Sequence, residues 1–438
     1  MIGQARRNTE LGLIILATVV VAGAYALTGF GREESLPANI VPFLVFVLGL
    51  LVVAHLAVRA WAPMADGVLL PIAALLNGLG YVFIARLDED LAGLQSLWTA
   101  IGIGAFAATL LVVRRPLDLD RFRYTFMLAG LGLLVLPLLP VVGREINGAR
   151  IWVSFGAVNF QPGEFAKIAL AVFFASYLVE RRELLGLGTL RLGPFFLPDP
   201  KHLGPILLAW GFSLMVMFFE KDLGSSLLFF ALFVVMLWLA TQRAYYLVLG
   251  SGLFAAGAWF AWTFFAHVQE RVDIWRNPWP VCNDEAFQLC ESWFGLAFGG
   301  ITGTGPGMGR PDRIPEAETD FIFSVVGEEL GLLGATLVIA AFILTVGIGM
   351  RIAINADNEF DKLLAAGLTT LIGFQAFIII AGVIRLLPLT GVTLPFVSYG
   401  GSSLIANYIL LALLMRISDS STRRQAERAT RGARQPAR

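Results

Sequence analysis

The sequence predicts an all-α polytopic membrane protein. Of its 438 residues, 57% are hydrophobic and 15% charged, where a soluble domain carries roughly a quarter charged residues. Apolar runs long enough to cross a hydrocarbon core of about 30 Å as helices recur from end to end, and the alternation of a β-barrel is absent. Twelve spans are expected, near residues 10–29, 39–58, 67–84, 97–113, 124–140, 164–179, 204–219, 223–240, 244–266, 321–347, 363–384 and 402–416.

The first span follows Arg6 and Arg7, and Ala24-Tyr25-Ala26 has the look of a signal-peptidase site. Its apolar run is long for a signal peptide and the next span follows closely, so a retained helix is expected. The formal net charge is zero, but of the 32 Lys and Arg residues 21 fall in one alternating set of connections and in the tail. Positive charge accumulates on the cytoplasmic side. Both termini are therefore expected inside, and three long connections, Val141–Lys167, His267–Asp320 and Arg385–Ser402, are expected outside. Long ordered loops in compact proteins are usually functional. The cytoplasmic connections read as solvated linkers. So does the arginine-rich tail, 418–438, which is expected to be disordered and drawn to anionic lipid.

Pro315–Leu330 (PEAETDFIFSVVGEEL) organises the rest. A polar loop ends at Asp320, an apolar run begins, and Glu328 and Glu329 follow inside it. Ionisable groups are costly in hydrocarbon, so this placement points to a water-accessible functional cavity. Asp320 is the candidate for chemistry. Its structural alternative is an N-cap, a position that aspartate favours. Ser324, Gly327 and Gly331 share its helical face and would leave a small-residue groove beneath it.

The first outer loop holds Arg150 and then Gln161-Pro162-Gly163-Glu164-Phe165-Ala166-Lys167. Pro162 suits the first turn of a helix, which places Glu164 and Lys167 on one face. They form either a neutralised pair at the surface or a pair facing an anionic substrate. Glu220-Lys221-Asp222-Leu223-Gly224 reads as a tight charged turn. The run Gly299–Arg310 is dense in glycine, but no strand precedes it and Pro306 interrupts it, so a backbone-dense turn is expected rather than a phosphate cradle. Arg385–Ser403, with two prolines and three glycines, cannot be regular helix. It is expected to be re-entrant, lining the site with Ser398 and Ser402. Cys282 and Cys290 lie in an outer loop, where a disulfide is expected, with two free thiols as the alternative. His55, His202 and His267 are scattered, which argues against a histidine metal site. A divalent cation held by carboxylates stays open.

With these motifs in view, the chain resembles the SEDS family (shape, elongation, division and sporulation), whose members include RodA, FtsW and SpoVE. The likeness runs from about the third span to Ser418 and is most specific in Pro315–Leu330, Pro388–Ser403 and Phe160–Lys167. It implies a ten-helix core at 67–417 preceded by two additional helices within 1–66. It implies a peptidoglycan glycosyltransferase that polymerises lipid II, with the family's essential aspartate at Asp320. The family's glutamate and lysine fall at Glu164 and Lys167, and the aspartate of its PDLG turn at Asp222. Gly163 stands where serine is usual, and Lys221 where proline is. Gly309-Arg310-Pro311-Asp312 and the extra helices resemble actinobacterial RodA, the elongation type.

On this reading Asp320 is the general base, and Arg150, Lys167, Arg310 and Arg385 are the candidate partners of a diphosphate. An α-linked donor would give a β-1,4 glycan by inversion. Magnesium or manganese is left open as a cofactor. The implied partners are lipid II, a class B penicillin-binding protein and membrane lipids, with no nucleic acid. A division-type polymerase, a flippase for lipid-linked precursors and a scaffold without chemistry are the competing readings. A flippase needs a polar path through the whole membrane, whereas the unusual polar segments here gather on one side.

Overall fold

A computed structural model describes the chain except for residues 1, 38–39, 141, 147, 156–157, 187–189, 193–194, 198–203, 205–209, 213, 216–217 and 435–438. Among the described residues, ten helices are long and apolar enough to cross a membrane. They are contained in α1 (Ile2–Glu33), α2 (Ile40–Trp61), α3 (Leu69–Leu87), α4 (Glu89–Val112), α5 (Arg123–Val135, with the turns that flank it), α7 (Leu223–Thr241), α8 (Tyr245–Phe264), α11 (Ile322–Ile354), α12 (Glu359–Val383) and α13 (Gly401–Arg434). α6 (Gly163–Gly186) is also long, but carries Glu164 and Lys167 within its first turns and is buried along most of its length. The span expected at 204–219 lies largely outside the described residues.

The bundle is built around α12, which packs against α6, α7, α11 and α13, while α13 lies along α4. α1 packs on α2 and α3. That N-terminal pair is held by a buried polar latch: Glu10 accepts hydrogen bonds from Arg7 and from His55 Nδ1 (2.7 Å), and Arg7 donates to the Ala65 carbonyl. A carboxylate that is fully enclosed needs such partners.

The connections are more ordered than expected. The Val141–Lys167 loop forms an antiparallel meander of β1 (Gly143–Ile146), β2 (Ala149–Phe155) and β3 (Val158–Phe160), with Val153 opposite both Gly143 and Phe160. A connection expected to be a solvated linker contains the hairpin β4 (Leu190–Leu192) and β5 (Phe195–Leu197). Short strands between helices carry too little periodicity to stand out from loop. The tail is helical to Arg434 rather than disordered. Its arginines pair with carboxylates: Arg423 with Asp419 (2.8 Å), one helical turn away, and Arg428 with Asp357 (3.2 Å) across to the start of α12.

His267–Asp320 folds as α9 (Ala266–Arg276), α10 (Phe287–Gly299) and turns, with Cys282 and Cys290 disulfide-bonded. Its glycine-rich run does a specific job. α11 breaks at Gly331, whose φ of 66° and ψ of −166° are non-helical, so the helical face expected to run from Asp320 through Gly331 is interrupted. The freed backbone groups pair with the glycine run. Thr304 and Gly305 amides donate to the Glu328 and Glu329 carbonyls (2.9 and 3.1 Å), and Leu332 and Leu333 amides donate to those of Gly300 and Ile301 (2.9 and 3.2 Å). Glu329 accepts from the Gly307 amide (2.8 Å) and lies beside Arg86 (3.4 Å), and Glu328 accepts from the Arg310 amide (2.7 Å). These two carboxylates hold the loop and do not face Asp320.

Gly303 sits at φ 84°, and a Cβ there would run into the Glu329 carbonyl. Gly303→Ala is therefore expected to cost about 1–3 kcal/mol from backbone strain alone, read as a lowered melting temperature in detergent. Gly252→Ala, in α8 with nothing around the new methyl, is the control, expected to stabilise by about 0.5–1 kcal/mol.

Candidate active site

The residues before α11 form a turn around one carbonyl. Glu316, in left-handed backbone at φ 56°, accepts at its carbonyl from the amides of Thr319 (3.2 Å), Asp320 (3.2 Å) and Phe321 (3.4 Å). The helix then begins after Phe321 with no side-chain cap. Asp320 is thus spared the capping role that its position suggested, and its carboxylate is turned into a cavity of about 530 Å³. The re-entrant segment clamps this turn. Ser398 Oγ donates to the Thr319 carbonyl (2.5 Å) and accepts from the Leu394 amide (2.9 Å), and the Tyr399 amide donates to the Glu318 carbonyl (2.8 Å). Gly391, at φ 71°, lies next to Asp320, where a Cβ would sit in ordinary contact with Oδ2 at 3.5 Å.

The cavity lining is mixed. Leu94 and Trp98 of α4 and Ile146, Ile151 and Trp152 of the meander are among its apolar residues. Four carboxylates, Glu164, Asp222, Glu316 and Asp320, also line it, with Lys221 and Arg271 as its cations. Asp222 caps α7, accepting from the Ser225 amide at 2.9 Å. Behind the wall, Lys167 donates to Glu164 Oε1 and Gln375 Oε1 (2.8 Å each), and Gln375 Nε2 donates to the Thr393 carbonyl (2.9 Å). The Lys167 charge is therefore committed to protein partners, and the pair ties α6 to α12 and to the re-entrant segment. Ser402 Oγ accepts from the Gln161 amide (2.9 Å), fixing the entry to α6.

Burial pushes the Asp320 carboxyl up to about 7, with Glu316 raising it further and Arg271 opposing. Burial also raises Asp222, and pushes Glu220, with help from Asp222, to about 9. A half-buried carboxyl that changes charge near neutrality is suited to exchanging a proton with a bound hydroxyl.

A family model described as a cell cycle protein, FtsW/RodA/SpoVE, matches residues 69–423. The chain belongs to the FtsW/RodA/SpoVE family. It is 44% identical over 429 residues to the Mycobacterium tuberculosis protein named peptidoglycan glycosyltransferase RodA, covering 95% of this chain and 92% of that one. It is 33% identical over 341 residues to a Geobacter sulfurreducens protein named probable peptidoglycan glycosyltransferase FtsW, covering 77% and 86%. Within the family the likeness is thus to the actinobacterial RodA type. Two solved structures share the fold. One, described as structural coordination of polymerization and crosslinking by a peptidoglycan synthase complex, has a TM-score of 0.68 at 27% identity, covering 82% of this chain and 98% of that one. The other, the rod shape determining protein RodA of Thermus thermophilus, has a TM-score of 0.59 at 26% identity, covering 81% and 96%.

In this FtsW/RodA/SpoVE chain, Asp320, Glu164, Asp222 and Ser402 meet in one cavity. Lys167 and Ser398 support its walls from behind. The other expected residues lie elsewhere. Arg310 borders a separate cavity of about 320 Å³ with Glu328 and Phe298. Ser324 is buried and bonded to Ser292 Oγ (3.0 Å), joining α11 to α10. Arg385 donates to the Trp275 and Arg276 carbonyls (3.0 and 2.8 Å) and stacks over Trp293, bracing α9. Arg150 stands on β2 between the two cavity residues Ala149 and Ile151 but does not itself line the wall. Conversely, Arg271 and Glu316 line the cavity without having been singled out. Both sit in the long connection before α11, which carries several other charges, so sequence offered no signal to separate them. Lys221 adopts φ 59°, a conformation closed to proline, so this turn differs from the one that the family's usual proline would build. Among the described residues no three His, Cys, Asp or Glu side chains come together as a metal cage.

The raised Asp320 carboxyl sets a sign. The folded protein holds this proton over a pH range in which the unfolded chain has lost it, so stability falls as pH rises from about 4 towards 7. Asp320→Asn is expected to raise the melting temperature relative to wild type at pH 8 and to leave it nearly unchanged at pH 4, measured by thermal shift across pH.

Removing the Lys167 charge leaves Glu164 buried without its cation. Lys167→Met is expected to cost about 3–5 kcal/mol, and Lys167→Met with Glu164→Gln less than the single change, measured as a double-mutant cycle of unfolding.

Proposed function

We propose that this protein is a peptidoglycan glycosyltransferase that polymerises lipid II into β-1,4 glycan strands during cell elongation. The observation that carries the reading is the placement of Asp320: a half-buried carboxyl pushed up to about 7, on a turn clamped by Ser398 and Tyr399, and open to a cavity lined by both charged and apolar side chains. The relatives named for this activity support it. The side chain is positioned to accept the proton of an acceptor sugar hydroxyl. As that oxygen forms its bond to the donor's anomeric carbon, the carbon–oxygen bond to the diphosphate breaks with inversion, and the electron pair leaves on the diphosphate.

The excess of Lys and Arg in one set of connections supports placing both termini in the cytoplasm and the Asp320 cavity on the outer face of the cytoplasmic membrane. The likeness to a chain from a peptidoglycan synthase complex supports a class B penicillin-binding protein as the transpeptidase partner. A magnesium or manganese ion would be shared between one or two of the cavity carboxylates and the substrate's diphosphate, a mode that magnesium favours.

Purified full-length protein with its partner is expected to convert lipid II into glycan polymer on a gel, and Asp320→Ala to lower the rate by roughly 10²–10⁴-fold. The wild-type rate should rise with pH through about 7. Full polymerase activity in a folded Asp320→Ala protein would sink the assignment. A metal titration in the same assay tests the cation.

A further inference from the structure

A leaving diphosphate gains negative charge as its bond to the sugar breaks, and a cavity rich in carboxylates needs a cation at that point. Sequence reading nominated Arg150, Lys167, Arg310 and Arg385. Each is spoken for or misplaced: Lys167 is bound to Glu164 and Gln375, Arg385 to two carbonyls and an indole face, Arg310 borders another cavity, and Arg150 is off the wall. The cavity's cations are Lys221 and Arg271.

Arg271 is the better placed of the two. It lies on α9, and among the described residues its hydrogen bond is from Nη1 to the Leu389 carbonyl at 3.0 Å. That anchor is next to Thr390 and Gly391, the part of the re-entrant segment that faces Asp320. A guanidinium offers five donors in a planar fork, so the rest of the fork is available to the cavity. Thr390 Oγ1, in the same wall, is buried without a hydrogen-bond partner, a second polar atom left for a ligand to meet. Lys221, by contrast, is exposed. Planar bidentate recognition of phosphate is what arginine does better than lysine.

We infer that Arg271 is the residue that grips the diphosphate of the lipid-linked donor, with the Thr390 hydroxyl beside it, across the reacting carbon from Asp320. The inference rests on the polymerase reading given above. In the transfer, the acceptor oxygen bonds to the anomeric carbon, Asp320 takes the hydroxyl proton, and the leaving oxygen keeps the electron pair. Arg271 compensates the charge appearing there and exchanges no proton itself.

The test uses full-length Asp320→Ala protein in detergent, so that ligand is bound and not turned over. Undecaprenyl diphosphate is titrated against undecaprenol, which lacks both phosphates. Adding Arg271→Gln is expected to weaken undecaprenyl diphosphate binding roughly 10- to 100-fold and to leave undecaprenol binding unchanged. Arg271→Lys is expected to lose less, because the charge stays while the fork goes. Thr390→Val is expected to weaken the diphosphate alone by a few fold. Unchanged diphosphate affinity in Arg271→Gln, or equal loss of both ligands, would overturn the assignment and reduce Arg271 to a brace for Leu389. The lysine variant gives the same decision if the glutamine variant does not fold. With wild-type polymerase activity in hand, such a result removes only the Arg271 role. Absence of polymerase activity in the wild type with its partner removes the reading beneath it as well.

Discussion

Backbone that leaves the helix inside a membrane protein must find partners within the protein. The described structure meets this demand at two places, and the candidate site depends on both. At Gly331, α11 breaks, and the glycine-rich run supplies the missing donors and acceptors, with Glu328 and Glu329 adding side-chain contacts. At Pro388–Gly400 the chain is non-helical, and its polar groups meet Thr319, Glu318 and Gln375. Asp320 lies between the two. Its position follows from a backbone arrangement in which every anchor is a hydrogen bond that lipid could not replace.

The same arrangement explains the electrostatics. Four carboxylates share a cavity with two cations, while the most deeply placed lysine is used up by Glu164 and Gln375. Burial without full compensation raises Asp320 and Asp222. A site of this kind is held at a cost in stability, because the ionised forms are poorly solvated. The surrounding bundle, centred on α12, supplies the apolar packing that offsets it. Asp222 shows how one residue type divides its duties. Its carboxylate caps α7, whereas Asp320, at a position that looks like a cap, has no such bond and keeps its lone pairs for the cavity.

Much of this was legible from residue type and order. The ten described spans, the irregularity of Arg385–Gly400 and the place of Asp320 at a polar-to-apolar junction all follow from hydropathy, proline and glycine content, and the expense of charge near hydrocarbon. Glu164 and Lys167 declared themselves as a helical pair. The glycine run was rightly read as backbone-dense, but its partner, the break at Gly331, was not visible, because a glycine inside an apolar run carries no mark of its φ. The strands of the first loop and the latch of Arg7, Glu10 and His55 were missed for a related reason. Each is defined by pairing between segments and not by a pattern within one.

Taken alone, the sequence determined the class of molecule and the family, because both rest on local properties: the length of apolar runs, the residues at a few tight turns, and the spacing of charges. The tertiary structure decided which charges face the cavity. Read along the chain, Arg310 and Arg385 stood out and Arg271 did not, although all three lie in connections between spans. What separates them is placement and the partners already taken: Arg310 borders a different cavity, and the Arg385 guanidinium is bonded to carbonyls of α9. Those are relations across tens to hundreds of residues of chain, and they come into being only when the helices have packed.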